Sequence, residues 1–224
     1  PPALSFWRGS FCSRGWNVVV ITSHMKQTIV SLDLEGVLVP EIWIAVAEKT
    51  GIEALRRTTR DEPDYDLLMR SRLDIMREND LKLSDIQDVI ASLSPLEGAK
   101  GFLDKLRAQT QVVILSDTFV QFANPLMRQL DWPAIFCNHL EVSDNVIVNY
   151  HLRQPDQKRQ SVVAFKSLNY QVIAAGDSYN DTTMLEAADH GILFRAPYNV
   201  KAEFGNFRAV EEYGELMVLI EEHL

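Results

Sequence analysis

At 224 residues, with 46% hydrophobic and 24% charged side chains, the chain has the composition of a soluble globular protein and the length for one large domain or a core carrying a modest insertion. Its formal charge of −9, from 22 basic and 31 acidic residues, argues against a nucleic-acid partner or an anionic membrane surface, both of which need a basic face. Cys12 and Cys137 are too few for a disulfide framework and fit a reduced, cytoplasmic setting, and no segment has the ~18 consecutive apolar residues of a membrane helix.

Residues 1–24 differ from the rest of the chain and lack the apolar core and cleavage site of a signal peptide. They are expected to be an upstream extension with little structure before a natural start at Met25, an edge strand over 17–22 being the alternative. The apolar run Thr28 to Leu32 then reads as a buried strand, feeding Asp33 and Glu35 and at once Gly36. If strand geometry persists to Glu35, the two acids point the same way. Pro40-Glu41 fits a helix start, with Glu41 suited to the helix dipole, and that helix ends at Gly51. Helical spacing recurs from Asp64 to Glu78 and, behind a Ser84 cap, from Leu83 to Leu93. Three or four helices within about 60 residues are more than a crossover needs, so 41–96 reads as an inserted helical cap.

The core, residues 25–40 and 97–224, resumes with a helix over Gly98 to Gln109 and a strand over Gln111 to Leu115 that ends in Ser116-Asp117-Thr118. Phe119 to Leu130 reads as a helix, Ala134 to Cys137 as a short strand, and Leu140 to Leu152 as a β-hairpin turning at Asp144-Asn145. Arg153 to Gln160 opens a helix running to Leu168. Strands come next at Gln171 to Ala175, leading into Gly176-Asp177-Ser178-Tyr179-Asn180-Asp181, and at Gly191 to Phe194, with a last helix over Tyr213 to His223. The alternation predicts an α/β fold: a doubly wound, mostly parallel, Rossmann-like sheet with the helical cap and a small β-hairpin.

Ligands in such sheets sit beyond the carboxyl ends of the strands. One edge would gather Asp33, Glu35, Ser116, Asp177 and Asp181, with Lys158 opening the helix before the Asp177 strand; Lys166 is the rival lysine. Cys137 and His139 are too few for a zinc site. The set suits phosphoryl transfer. A carboxylate can attack phosphorus, and a hydroxyl and a lysine can hold the phosphoryl oxygens. Mg2+ takes oxygen ligands such as Asp33 and Asp177, and a second acid can protonate the leaving alkoxide and then activate water. With its ordinary pKa, roughly 0.2% of Glu35 would be protonated at pH 7, so the acid needs an upward shift, which bound phosphate, Asp33 and a water-excluding cap would favour. A receiver-like phospho-acceptor module and a haloacid dehalogenase are the alternatives.

The pattern Asp33-Leu34-Glu35-Gly36-Val37-Leu38, Ser116, Lys158 and Gly176-Asp177-Ser178-Tyr179-Asn180-Asp181 resembles the four motifs of the haloacid-dehalogenase-like phosphohydrolases. With Glu41 and Arg72 in the cap, it resembles the phosphoserine phosphatases, in particular bacterial ones that also act as homoserine phosphotransferases. The resemblance implies Asp33 as nucleophile, Glu35 as acid/base with its backbone carbonyl on Mg2+, Asp177 as a metal ligand and Asp181 holding a metal-bound water. It implies Ser116 and Lys158 on the phosphoryl group, with Asp117 and Asn180 beside it. Glu41 would meet the substrate ammonium and Arg72 its carboxylate, a bidentate geometry that arginine supplies. Partners would be phosphoserine and homoserine, with no nucleic acid and no membrane; a homodimer is left open. Two positions depart from most relatives: Glu35 stands where aspartate is common, and Asp117 where phosphoserine phosphatases usually have glycine.

Overall fold

The computed structural model describes residues 26–59, 61–62 and 64–224, so the expectations for residues 1–24 and for Met25 lie outside it. The apolar run before Asp33 is the middle of the sheet: β1 (Thr28–Leu32) pairs in parallel with β2 (Gln111–Phe119) and with β5 (Gln171–Gly176). Among the described residues seven strands lie in the order β4-β3-β2-β1-β5-β6-β7, where β3 is Ala134–Ser143, β4 Val146–His151, β6 His190–Phe194 and β7 Arg208–Val210. All neighbours are parallel except the β3–β4 hairpin.

Side chains alternate across this sheet, so each buried strand feeds two apolar layers. Val30, Leu32, Ile114, Ile173, Ala175, Ile192 and Phe194 join one cluster. It also takes in α4 (Ala99–Arg107), α5 (Val120–Gln129) and α9 (Tyr213–Glu221). Ile29, Val113, Leu115, Val172, Ala174 and Leu193 join the other, against α6 (Gln157–Ser167), α7 (Thr182–Ala187) and α8 (Tyr198–Glu203). Segment 41–96 forms α1 (Ile42–Thr50), a 3-10 turn, α2 (Tyr65–Glu78) and α3 (Leu83–Ala91). Its Val46, Leu55, Met69 and Ile86 bury into the first cluster. Among the described residues no helix is long and apolar enough to cross a membrane.

Several boundaries differ from the sequence expectation, each for a tertiary reason. Ser84 is not a helix cap: α3 starts after Lys82, whose N–H donates to Asp85 Oδ2 at 2.8 Å. Asn145 of the hairpin turn instead accepts the Ser84 N–H at 3.0 Å, from 61 residues away. That turn has two left-handed residues, Asp144 (φ 47°) and Asn145 (φ 66°), as a tight two-residue hairpin requires. The strand at Ala134 does not stop at Cys137 but runs on into the hairpin, and β2 continues through Ser116-Asp117-Thr118 to Phe119. α7, α8 and β7 have six, six and three residues, too short for periodicity to announce them. Gly51 closes α1 as expected, with φ 72° and its N–H on the Ala47 carbonyl.

The C-terminal helix also supports the loop after β1. Tyr213 donates its hydroxyl to the Val37 carbonyl at 2.6 Å in a buried contact, and its ring stacks on Phe102 at 5.0 Å. Tyr213→Phe keeps the ring and orphans that carbonyl, so urea unfolding should show a loss of about 1–3 kcal/mol. An unchanged midpoint would mean that the carbonyl is satisfied without the hydroxyl.

Candidate active site

Because β1 lies between β2 and β5, the carboxyl ends of these three strands converge. Asp33 is still in the ladder, its N–H donating to the Ala175 carbonyl at 3.0 Å. The chain then turns: Leu38 and Val39 both donate to the Leu34 carbonyl, at 2.8 and 3.0 Å, and Gly36 donates to Val39 at 2.9 Å. Strand geometry therefore does not persist to Glu35. A helix N-terminus aims this acid instead, since Glu35 Oε2 accepts the Ile42 N–H that opens α1 at 2.8 Å. Glu41, expected to serve that helix end, makes no side-chain cap. Gly36 has φ +77°, and a Cβ there would stand 2.5 Å from Asp177 Oδ2, so the turn needs glycine for both reasons.

Asp33, Asp177 and Asp181 bring carboxylate oxygens within 4.8 Å of one another, all buried. Lys158, at 2% exposure, lies among them: its Nζ is 2.9 Å from Asp33 Oδ1, 2.7 Å from Asp181 Oδ1 and 3.5 Å from Asp117 Oδ2. Burial disfavours the ammonium, yet the charges of Asp181, Asp33 and Asp117 hold the Lys158 pKa well above its ordinary value. Burial, and next the charge of Asp181, push Asp33 well up and Asp177 up to about 7. One ammonium does not neutralise three buried carboxylates. A hard divalent cation with oxygen ligands fits what remains. Asp181 Oδ2 is already taken by the N–H groups of Asp177 and Ser178, at 3.0 and 3.2 Å. The Glu35 carboxylate is not part of this cluster. Lys166, the rival lysine, is on another surface, paired with Asp189 at 3.0 Å.

A cavity of about 90 Å³ joins these groups to the cap; Asp33, Glu35, Ser116, Asp117, Lys158, Asp177 and Asn180 line it, with Glu41, Trp43, Tyr65 and Arg72 opposite. All the sequence-derived site residues except Asp181 thus meet at one void, and Asp181 holds Lys158 beneath it. Burial, then the neighbouring charge of Glu41, raise the Glu35 pKa to about 7, against the Ile42 N–H, Arg72 and Lys158. The upward shift is there, with Glu41 rather than Asp33 as its charged cause. Asp117 goes the other way: burial raises it, but Lys158 and the amides of Asn180 and Gln157 prevail, and it stays below the ordinary carboxylate range. Its Oδ2 accepts from Asn180 Nδ2 at 3.1 Å.

Arg72 is the other buried cation among the described residues. Its guanidinium lies 4.4 Å over the Trp43 ring and donates to the Arg57 carbonyl at 2.7 Å, while its Nε–H is buried with no acceptor. Burial brings its pKa down to about 10, still protonated at neutral pH. Sequence reasoning passed over Trp43, Tyr65, Asn138, Arg153 and Gln157, which orient the others. Their neighbours in the chain carry no signal of that kind before the fold brings these side chains to the site.

The Glu35 shift has a measurable sign. Its folded pKa, about 7, exceeds the ordinary 4.5, so the folded state holds the proton more tightly and stability falls as pH rises through that window. Glu35→Gln removes the titration and keeps an acceptor for Ile42. In metal-free buffer the variant should match wild type near pH 4.5 and exceed it by on the order of 3 kcal/mol at pH 8 in urea unfolding. A difference independent of pH would contradict the shift.

Against known proteins, residues 27–189 match the family model described as haloacid dehalogenase-like hydrolase. The chain is 66% identical over 189 residues to Phosphoserine phosphatase ThrH of Pseudomonas aeruginosa, covering 84% of this chain and 92% of that one. It is 65% identical over 190 residues to a phosphoserine phosphatase of Pseudomonas syringae pv. tomato, covering 84% and 80% respectively. The solved structure of a phospho-aspartyl intermediate analogue of phosphoserine phosphatase shares the fold, with a TM-score of 0.70 at 20% identity over 84% of this chain and 94% of the other. The clustered carboxylates, their buried lysine and the match across most of the chain agree: this protein belongs to the haloacid dehalogenase-like hydrolase family.

Proposed function

We propose that this chain is a Mg2+-dependent phosphatase of O-phospho-L-serine that works through an aspartyl-phosphate on Asp33 and also passes the phosphoryl group to homoserine. One observation carries the substrate: the cavity that holds the Asp33 carboxylate also holds a buried guanidinium with an unclaimed Nε–H, Arg72, and an acid, Glu41. A small phosphorylated amino acid offers the matching carboxylate and ammonium. The curated relatives named as phosphoserine phosphatases support the same substrate, and the motif resemblance extends it to homoserine. Helices α1 to α3 act as the cap that closes over the site.

Asp33 attacks phosphorus, the bond from phosphorus to the serine oxygen breaks, and Glu35 gives its proton to the departing alkoxide. A group with a pKa of about 7 is half protonated at neutral pH, which suits it to both directions of transfer. Glu35 then takes a proton from water or from the homoserine hydroxyl. That oxygen attacks phosphorus, and Asp33 leaves. Ser116 and Lys158 hold the phosphoryl oxygens, and Asp117 with Asn180 lies at the edge of the same cavity. Asp33, Asp177, Asp181 and the Glu35 main chain would hold Mg2+, which neutralises phosphoryl charge when bound. A receiver-type acceptor would have no use for Glu35 at this pKa, since it promotes loss of the phosphoryl group. The acidic surface and paucity of cysteines suit small-molecule work in the cytoplasm.

Labelled phosphoserine with Mg2+, with and without homoserine, tests this: release of serine with phosphate, and of phosphohomoserine when homoserine is present, is expected. Asp33→Asn should lower turnover at least about 1000-fold, because an amide cannot act as the carboxylate nucleophile. Turnover near wild type would refute the assignment. Arg72→Ala should raise KM for phosphoserine about 10- to 100-fold and KM for p-nitrophenyl phosphate less than about threefold. Equal effects would remove Arg72 from carboxylate recognition.

A further inference from the structure

Ser116 sits in a break in the sheet. Leu115 pairs with Phe136 and Phe119 with Asn138, so Ser116, Asp117 and Thr118 stand opposite Cys137 alone. Carbonyls in such a bulge lose their ladder partners and need others. Gln157 Nε2 donates to the Ser116 carbonyl and, at 3.1 Å, to Asp117 Oδ1. Asn138 Nδ2, at 3.0 Å, and the Tyr65 hydroxyl, at 3.1 Å, donate to the Asp117 carbonyl. Gln157 and Asn138 are both buried, and neither lines the cavity of about 90 Å³, so the Ser116 carbonyl is drawn toward a group behind its wall, while the Asp117 carbonyl is shared between Asn138 behind the wall and Tyr65, which lines it.

One residue orients both amides. Arg153 donates its main-chain N–H to Asn138 Oδ1 at 3.0 Å, and its Nε and Nη2 to Gln157 Oε1 at 3.3 and 3.1 Å. These groups only donate, so both amide oxygens face Arg153 and both NH2 groups face the bulge. Arg153 is itself fixed by Ser161 Oγ at 2.7 Å and by the Phe136 ring at 5.2 Å. Inside the bulge, Thr118 N–H donates to Ser116 Oγ at 3.2 Å, which leaves the hydroxyl hydrogen of Ser116 for an acceptor in the cavity.

We propose that Gln157 and Asn138, both oriented by Arg153, are positioning residues that hold the Ser116–Thr118 bulge, with the Ser116 carbonyl turned from the cavity, the Asp117 carbonyl occupied by donors, and the Ser116 hydroxyl turned to the phosphoryl group. This rests on the phosphoryl-transfer reading of Ser116 above. Without the amides, a carbonyl oxygen could turn toward an anion that repels it. The arrangement belongs to this chain's β2 bulge and α6 start, and the cap adds its own donor through Tyr65.

Gln157→Leu removes both donor bonds. Gln157→Glu keeps the shape and places oxygen where NH2 stood, so it serves if the leucine variant does not fold. The probes are inorganic phosphate as a competitive inhibitor and by calorimetry, p-nitrophenyl phosphate turnover, and Mg2+ activation. In both variants phosphate affinity should fall about 10- to 100-fold while the Mg2+ activation constant stays within about twofold. Arg153→Met should move phosphate affinity the same way, and adding it to Gln157→Leu should cause no further loss. Phosphate affinity within about twofold of wild type in folded Gln157→Glu would overturn the proposal, as would an equal loss of Mg2+ activation, which marks general loosening of the site. Phosphoserine turnover by wild type is read separately: its absence would sink the substrate assignment and leave the phosphate comparison intact.

Discussion

A lysine with 2% exposure, surrounded by three carboxylates, is the constraint on which the site depends. An unpaired ammonium at such depth would lose its proton or unfold its surroundings, and so would an unpaired carboxylate. Lys158 therefore binds together the ends of β1 and β2 and the start of α7 through Asp33, Asp117 and Asp181. Convergence of these elements follows from strand order, with β1 between β2 and β5. The balance is incomplete in charge, and burial together with the neighbouring Asp181 charge raises the pKa values of Asp33 and Asp177. A site short of positive charge is ready for a divalent cation and, through it, for a phosphoryl group.

The cap gives the second acid a different environment from the first. Glu35 is close to Glu41 and the Ile42 N–H rather than in the lysine cluster. Two carboxylates two residues apart are thereby given different surroundings: one beside an ammonium, the other partly buried with its pKa raised to about 7. The turn that separates them depends on Gly36, which has to pass under Asp177, and on Tyr213, which reaches from the last helix to hold Val37. The chain's last element thus supports the loop that follows its first strand.

The cap and core are also joined by polar contacts around the cavity. Tyr65 from α2 bonds the Asp117 carbonyl across the two parts, and within the core Asn180 spans to the Asp117 carboxylate. Asp117 is consequently surrounded by donors from several elements and stays ionised at the cavity wall. An added negative charge there opposes a bound anion, which makes the donors around it more important for this chain than they would be around a glycine.

The sequence by itself determined the architecture. Apolar runs of strand length alternating with helical spacing leave few ways to bury both faces of β1, and placing Asp33, Ser116 and Asp177 at strand ends puts them at one edge. Even Lys158 could be placed, because it opens the helix that leads into β5. The local periodicity did not contain the bulge at Ser116, the contact of the hairpin turn with the N-terminus of α3, or the short elements α8 and β7. Nor did it contain the amides of Asn138 and Gln157, whose worth lies in what Arg153 makes them face. Periodicity reports which side of an element is buried; it carries no record of which distant group completes a hydrogen bond. That is why tertiary structure alone decided how Glu35 is aimed: the strand stops at Leu32, and the N-terminus of α1 takes the carboxylate that alternation would have aligned.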